Sequence, residues 1–331
     1  MSSVPQGRVR RVVVPLITRG PRRTGSRQAP RAAAGGVSGT GRRAFLRAGD
    51  GVRIEALYEP GPAGGAGPAI VVAHGFTGSV DRPAVRRAAR VFRRYGAVVT
   101  FSFRGHGGSG GRSTVGDREV LDVAEAVRWA RSLGHERVVT VGFSMGGSVV
   151  VRHAALYRDG AADGGPADGF RPEGRTEARP VGRTPASAGH DPDHHPARSA
   201  GRVSARADAV VAVSAPARWY YRGTAPMRRL HWVVTRPAGR LVGRLGLRTR
   251  IHDRDWDPVP LPPVEAAARL GPTPLLVVHG DRDPYFPLDH PRALAAAAGR
   301  SELWIVPGMG HAENAAEETL LTRIGAWLTA A

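Results

Sequence analysis

The sequence predicts an α/β fold, a mostly parallel sheet with helices on both faces. Two observations carry this reading. Short, continuous apolar runs alternate with longer stretches of helical period, the pattern of strands buried on both sides. The motif richest in chemistry, Gly142–Phe143–Ser144–Met145–Gly146–Gly147, stands directly between such a run and such a stretch. Parallel sheets build their sites at that kind of junction, at the carboxyl ends of the strands.

The elements follow in order. Two alternating segments, about 43–47 and 52–58, flank Gly49–Asp50–Gly51 and read as a hairpin. Ala69–Ala73 is a buried strand, followed by a helix from about Pro83 to Tyr95. Ala97–Phe101 and a helix over about 117–133 come next, then Val138–Val141 and a helix beginning near Ser144. Ala209–Val213 and Leu275–Val278 are further strands, and a helix over 289–298, a strand Leu303–Val306 and a helix over 313–329 close the chain.

Three segments stand outside the alternation. Residues 1–43 are dominated by Gly, Pro, Ser and Arg and are expected to form a disordered tail. Arg42–Arg43 opens a stretch like a twin-arginine export signal, but the apolar region such a signal needs is replaced by the hairpin, so a cytoplasmic protein is expected. Residues 158–206 are rich in Gly, Pro, Asp, Arg and His without apolar period and read as a disordered insertion. Its His190–Asp191–Pro192–Asp193–His194–His195 looks like metal-ligand material, but prolines in a floppy context argue against a preorganised site, so no metal is expected. Residues 218–263 lie between two core strands and read as a cap.

The 331 residues carry a formal net charge of +20, and every one of the 48 basic residues is arginine. The charge is uneven: residues 1–43 hold ten arginines and no acid, residues 218–254 ten arginines and one acid. A near-neutral body with basic appendages is unlike a surface built for nucleic acid, and no specific nucleic-acid partner is expected. Arg, Ala, Gly and Pro share GC-rich codons, so the bias of a high-GC bacterial genome accounts for the larger share of the charge and an anionic partner for the smaller. The chain has no cysteine, which excludes disulfides, thiolate metal sites and a cysteine nucleophile. No apolar run reaches the length of a membrane span.

Gly142–Gly146 fits a nucleophile elbow, a sharp strand-to-helix turn that presents the Ser144 hydroxyl above the sheet and aims the Met145 N–H at a reacting carbonyl oxygen. A serine needs a base and an orienting acid. His311, in the glycine-rich loop after the last strand, is the candidate base, since its unperturbed pKa of about 6.5 suits proton shuttling near neutrality. Asp281 and Asp283 both follow the penultimate strand, and spacing alone does not separate them.

On these residues the chain resembles the α/β-hydrolase superfamily, specifically its monoacylglycerol-lipase-like and serine-aminopeptidase-like (S33-type) members. The resemblance covers about residues 44–157 and 207–331. It implies an α/β-hydrolase fold with a small cap before the penultimate strand. The family's His-Gly-x-x-Asp-x-x-Val-Pro loop matches His279–Pro287 with Asp283 as the acid and Phe286 in place of valine. His74–Gly78 resembles the oxyanion loop, which makes the Phe76 N–H the second donor beside Met145, with His74 holding the loop. Arg104–Gly110 resembles a loop of architectural role, which leaves His106 out of catalysis, and Phe143 stands where many relatives carry a non-triad histidine.

In the cap, Trp219, Tyr220, Tyr221, Leu230, Trp232, Val233 and Val234 supply apolar surface. Arg236, Arg240, Arg244 and Arg248 recur every four residues opposite Leu241, Val242 and Leu245. A cap helix laying its apolar side over the pocket is expected, with a lipid-surface contact as the sharper alternative. The expected activity is a cofactor-free serine esterase acting on a small acyl or acylglycerol substrate, with no obligate protein partner. An aminopeptidase or amidase on the same triad is the first alternative, and a non-catalytic binding protein the second.

Overall fold

The structure, a computed structural model, describes residues 10–13, 41–62, 67–158 and 203–331. The expected insertion falls almost wholly on residues outside this set, as does the His190–His195 cluster. So does most of the expected N-terminal tail, but within it β1 (Arg10–Val13) pairs in parallel with the outer edge of the sheet. An exposed strand edge offers unpaired N–H and C=O groups, and a short extended segment satisfies them.

Among the described residues nine strands form one sheet in the order β1-β9-β8-β7-β6-β4-β5-β3-β2. The hairpin is β2 (Arg42–Arg47) and β3 (Arg53–Glu59), and β3 runs antiparallel to both of its neighbours. The remaining strands, β4 (Ala69–Ala73), β5 (Ala97–Phe101), β6 (Val138–Phe143), β7 (Ala209–Val213), β8 (Leu275–Gly280) and β9 (Ser301–Val306), pair in parallel with one another. The fold is that expected of the sequence.

Period-two side-chain alternation splits each strand between two cores. On β4, Ala69, Val71 and Ala73 join one cluster with α2 (Glu119–Ser132) and α3 (Met145–Leu156). Ile70 and Val72 face the other, with α1 (Pro83–Phe92) and the terminal helix α9 (Glu318–Ala330). The expected single helix over 313–329 is two, α8 (Ala312–Ala315) and α9. Between them Ala316 and Glu317 are extended, and the Arg87 guanidinium donates to the Glu313 and Ala316 carbonyls, holding open a chain that would otherwise coil through.

Between β7 and β8 lies the cap, with α4 (Ala225–Thr235) and α5 (Pro237–Leu245) followed by α6 (Pro263–Ala268) and then, beyond β8, α7 (Asp289–Ala297). Pro237 ends the first cap helix and opens the second. Here one expectation is corrected. Leu241, Val242 and Leu245 do not lie over the pocket; they are 55%, 47% and 72% exposed. It is Gly239 and Gly243 that face inward, and α4 that covers the cavity. Among the described residues no helix is long and apolar enough to cross a membrane.

Candidate active site

β6 is central in the sheet, and its last residue passes straight into α3 through Ser144. The serine backbone has φ 50° and ψ −116°, a left-handed conformation that costs a residue with a β-carbon about 1–3 kcal/mol. The turn survives because chain passes it closely. A β-carbon at Gly142 would strike the Gly146 carbonyl, and one at Gly146 the Ala73 and His74 carbonyls. The Ser144 N–H donates to the Val213 carbonyl at 2.8 Å, tying the turn to β7.

Asp283 follows β8 and His311 follows β9, so three separate strand ends bring these side chains together. His311 Nε2 lies 2.8 Å from Ser144 Oγ, and His311 Nδ1 lies 2.7 Å from Asp283 Oδ2. The carboxylate accepts at Nδ1, which keeps the ring proton there and leaves Nε2 free to accept from the hydroxyl. The other carboxylate oxygen, Asp283 Oδ1, accepts the Tyr285 and Phe286 N–H groups at 2.8 and 3.2 Å. Asp281 instead accepts the Gly308 N–H at 2.6 Å and closes a turn between loops. Of the two aspartates that spacing left open, only Asp283 meets the histidine.

Burial by itself would raise the Asp283 carboxyl, but the His311 hydrogen bond and charge, with the Tyr285 N–H, outweigh it and hold the pKa below the usual value. Such a group stabilises the fold above its unfolded pKa of about 3.9, and the gain is lost as pH falls through the lower folded value. The expected result is a thermal midpoint for wild type above that of Asp283→Asn from neutral pH down to about pH 5, with the margin narrowing below about pH 4 as the carboxylate is protonated. A margin that keeps widening below about pH 4 would contradict the assignment.

The loop after β4 is pinned on both sides of Phe76. The Gly75 N–H donates to Glu313 Oε1 at 3.0 Å and the Thr77 N–H to His106 Nε2 at 3.3 Å. Between them the Phe76 N–H has no hydrogen-bond partner among the described residues, and neither has the Met145 N–H, the first of α3. Both residues line the cavity with Ser144. His74 donates from Nδ1 to the Gly75 carbonyl and accepts the Phe103 N–H at Nε2; burial holds its pKa down at about 3, so it stays a neutral brace. His106, likewise buried and lowered, donates from Nδ1 to the Arg104 carbonyl. Neither touches Ser144 or His311.

Two features escaped the sequence reading. Tyr285 and Phe286 flank the His311 ring, with centroids 4.3 and 5.7 Å away, and Phe286 also lines the cavity. Glu313, nearly buried, joins the loop of His311 to that of Phe76. A carboxylate two residues after a candidate base was a legible hint, but its partner lies 238 residues away. Removing the acceptor strands the Gly75 N–H, so Glu313→Ala is expected to lower kcat by roughly ten- to a hundredfold. Glu313→Gln, which keeps an acceptor, should recover most of the loss. Equal losses in both variants would point to the charge instead.

Above Ser144 the cap encloses a cavity of about 140 Å3, walled by Trp219, Met227, Leu230, Val234, Ile251 and Phe286. The cap is fastened at its edges: Trp219 Nε1–H donates to the Pro260 carbonyl, Trp256 Nε1–H to Thr114, and the Ala217 N–H to His290 Nδ1.

Comparison with known proteins agrees with this fold. An uncharacterized protein of Mycobacterium tuberculosis is 31% identical over 126 residues, which is 37% of this chain and 44% of that protein. The match thus spans less than half the length of the curated relative. Among solved structures, esterase Pf2001 of Pyrococcus furiosus superposes with a TM-score of 0.58 at 19% identity, over 88% of this chain and 90% of that one. The alpha/beta hydrolase GrgF of a Penicillium species gives 0.57 at 16% identity, over 87% and 97%. The model of the alpha/beta hydrolase family matches residues 12–320, nearly the whole chain, and the protein therefore belongs to that hydrolase family.

Proposed function

We propose that the protein is a serine hydrolase that cleaves carboxylic esters through an acyl-enzyme, of the monoacylglycerol-lipase-like type. The observation that supports this most is the unbroken chain Ser144 Oγ, His311 Nε2 and Nδ1, Asp283 Oδ2 on the floor of an apolar cavity. Ser144 Oγ attacks the ester carbonyl carbon while its proton passes to His311 Nε2. Asp283 steadies the imidazolium. The carbonyl oxygen, now negative, is held by the Phe76 and Met145 N–H groups, each worth about 3 kcal/mol in the transition state. Collapse breaks the C–O bond, and the leaving alcohol takes the proton from His311. Water then enters and gives its proton to Nε2 and its oxygen to the acyl carbon; the acyl C–Oγ bond breaks, Nε2 returns that proton to Ser144 Oγ, and the acid leaves. The route uses no cofactor and no metal.

The lining favours an acyl chain over an α-ammonium group. Asp255 is the one carboxylate among the described lining residues, and Arg218, Arg254 and His252 line the same cavity. An aminopeptidase needs net negative charge where the amine docks. The experiment is kcat/KM for p-nitrophenyl esters from acetyl to palmitoyl against aminoacyl p-nitroanilides. Esters should be the better substrates, and faster anilide cleavage would turn the reading to an aminopeptidase. No turnover of either by folded protein would reject hydrolysis by this site.

A further inference from the structure

The outer cap helix is built inside out. A surface helix normally turns its larger apolar side chains inward. α5 packs through glycines, on α4 and on the segment that follows the helix pair: a β-carbon at Gly239 would strike the Trp232 carbonyl of α4, and one at Gly243 would come to 3.0 Å from Ile251 Cδ1. Opposite those glycines on the helical wheel stand Leu241 and Leu245, more than half exposed, with Val242 at 47% and Trp232 of α4 at 48%. These four are half of the exposed bulky apolar side chains among the described residues. The cavity takes nothing from α5, since its cap lining comes from α4 and from the segments on either side of the helix pair.

Around this apolar face the charge is of one sign. Arg236, Arg244 and Arg248 are exposed and make no ion pair among the described residues. The ion pairs that segment 218–254 does make, Arg218–Asp289 and Asp253 with Arg112 and His252, lie outside α4 and α5. A second copy of the chain would meet this face with the same arginines and the same excess of charge, so self-association is opposed. Apolar side chains projecting from a helix with unpaired arginines at its borders match a surface that is anionic outside and apolar just beneath.

We propose that α5 is a docking helix for an anionic phospholipid surface. Leu241, Leu245 and Trp232 enter the acyl boundary while Arg236, Arg244 and Arg248 meet the lipid phosphates. The helix lies on the cap, so docking brings the cavity roof, α4, against the lipid. The proposal does not depend on the ester reading, since binding is measured without turnover.

The test is sedimentation of the full chain with phosphatidylcholine vesicles, with and without phosphatidylglycerol. Wild type should bind the anionic vesicles, and added salt should weaken the binding. The double variant Leu241→Asp/Leu245→Asp should bind roughly tenfold more weakly or worse, with an unchanged thermal midpoint. The triple variant Arg236→Gln/Arg244→Gln/Arg248→Gln should lose about fivefold for each arginine that meets the surface. Absence of wild-type binding overturns the proposal. So does binding that the double variant retains in full, which would assign it to arginines elsewhere, residues 1–43 first. A dimer that forms in place of vesicle binding and is lost in the double variant would identify the face as a self-interface, and would overturn it too.

Discussion

Ser144→Ala is expected to lower turnover of the best p-nitrophenyl ester by roughly a million-fold, because the remaining residues of such a unit do little without the nucleophile. Stability should hardly change. The hydroxyl's hydrogen bond to His311 Nε2 is single and part-exposed, and alanine meets the same backbone strain at φ 50°. Ser144→Gly removes both the nucleophile and the strain. It should therefore be equally inactive yet more stable than the alanine variant, by up to about 1 kcal/mol after glycine's own entropy cost. Activity in Ser144→Ala above about one hundredth of wild type would show a second nucleophile at work, against the behaviour of such units. An alanine variant more stable than the glycine variant would show that the elbow is not strained.

The largest expected loss of stability comes from Arg104, far from the reacting atoms. It is 2% exposed and anchors the loop that carries His106. Its guanidinium donates to Asp122 Oδ1 at 2.7 Å and to Asp50 Oδ2 at 2.6 Å, and its own N–H reaches Asp122 Oδ2 at 2.9 Å. Asp122 is wholly buried on α2, and Asp50 sits in the hairpin turn, so one side chain joins three parts of the fold. Arg104→Met leaves the Asp122 charge buried without its partner. The cost is about 3–5 kcal/mol, seen as a thermal midpoint lower by roughly 10 °C. Arg104→Met/Asp122→Leu removes both charges and should recover a large part of that loss, since the residues share one network. A double variant as unstable as the sum of the singles would show that the pair is not coupled.

The parallel core was legible because strands buried on both faces leave an apolar run with sharp ends. Ala69–Ala73, Ala97–Phe101 and Ala209–Val213 needed nothing beyond the chain itself. Strand ends in motif-bearing loops were less clear: β6 runs on to Phe143 and β8 to Gly280, where glycine and histidine hide extended backbone from a reading of apolarity. β1 was hidden because its pairing partner, β9, lies almost 300 residues away and its local composition is that of a tail.

Ser144 and His311 stood out through local turn chemistry, which short motifs encode, whereas the loop of Phe76 was singled out only by the family resemblance. The choice of Asp283 over Asp281 did not stand out locally, since it depends on which carboxylate reaches the ring after two loops fold toward each other. The cap was misread for a related reason. Period alone finds an apolar stripe and a basic stripe on α5, but the small face, Gly239 and Gly243, decided which side turned inward. Close helix packing on glycine outweighed the burial of leucine.

The proposed ester hydrolysis requires that Ser144 become acylated. Labelling with a fluorophosphonate, followed by intact-mass measurement and peptide mapping, should give one adduct per chain, on Ser144, absent from Ser144→Ala and formed far more slowly in His311→Ala. An adduct on another residue, or none on folded wild-type protein, would contradict the proposal.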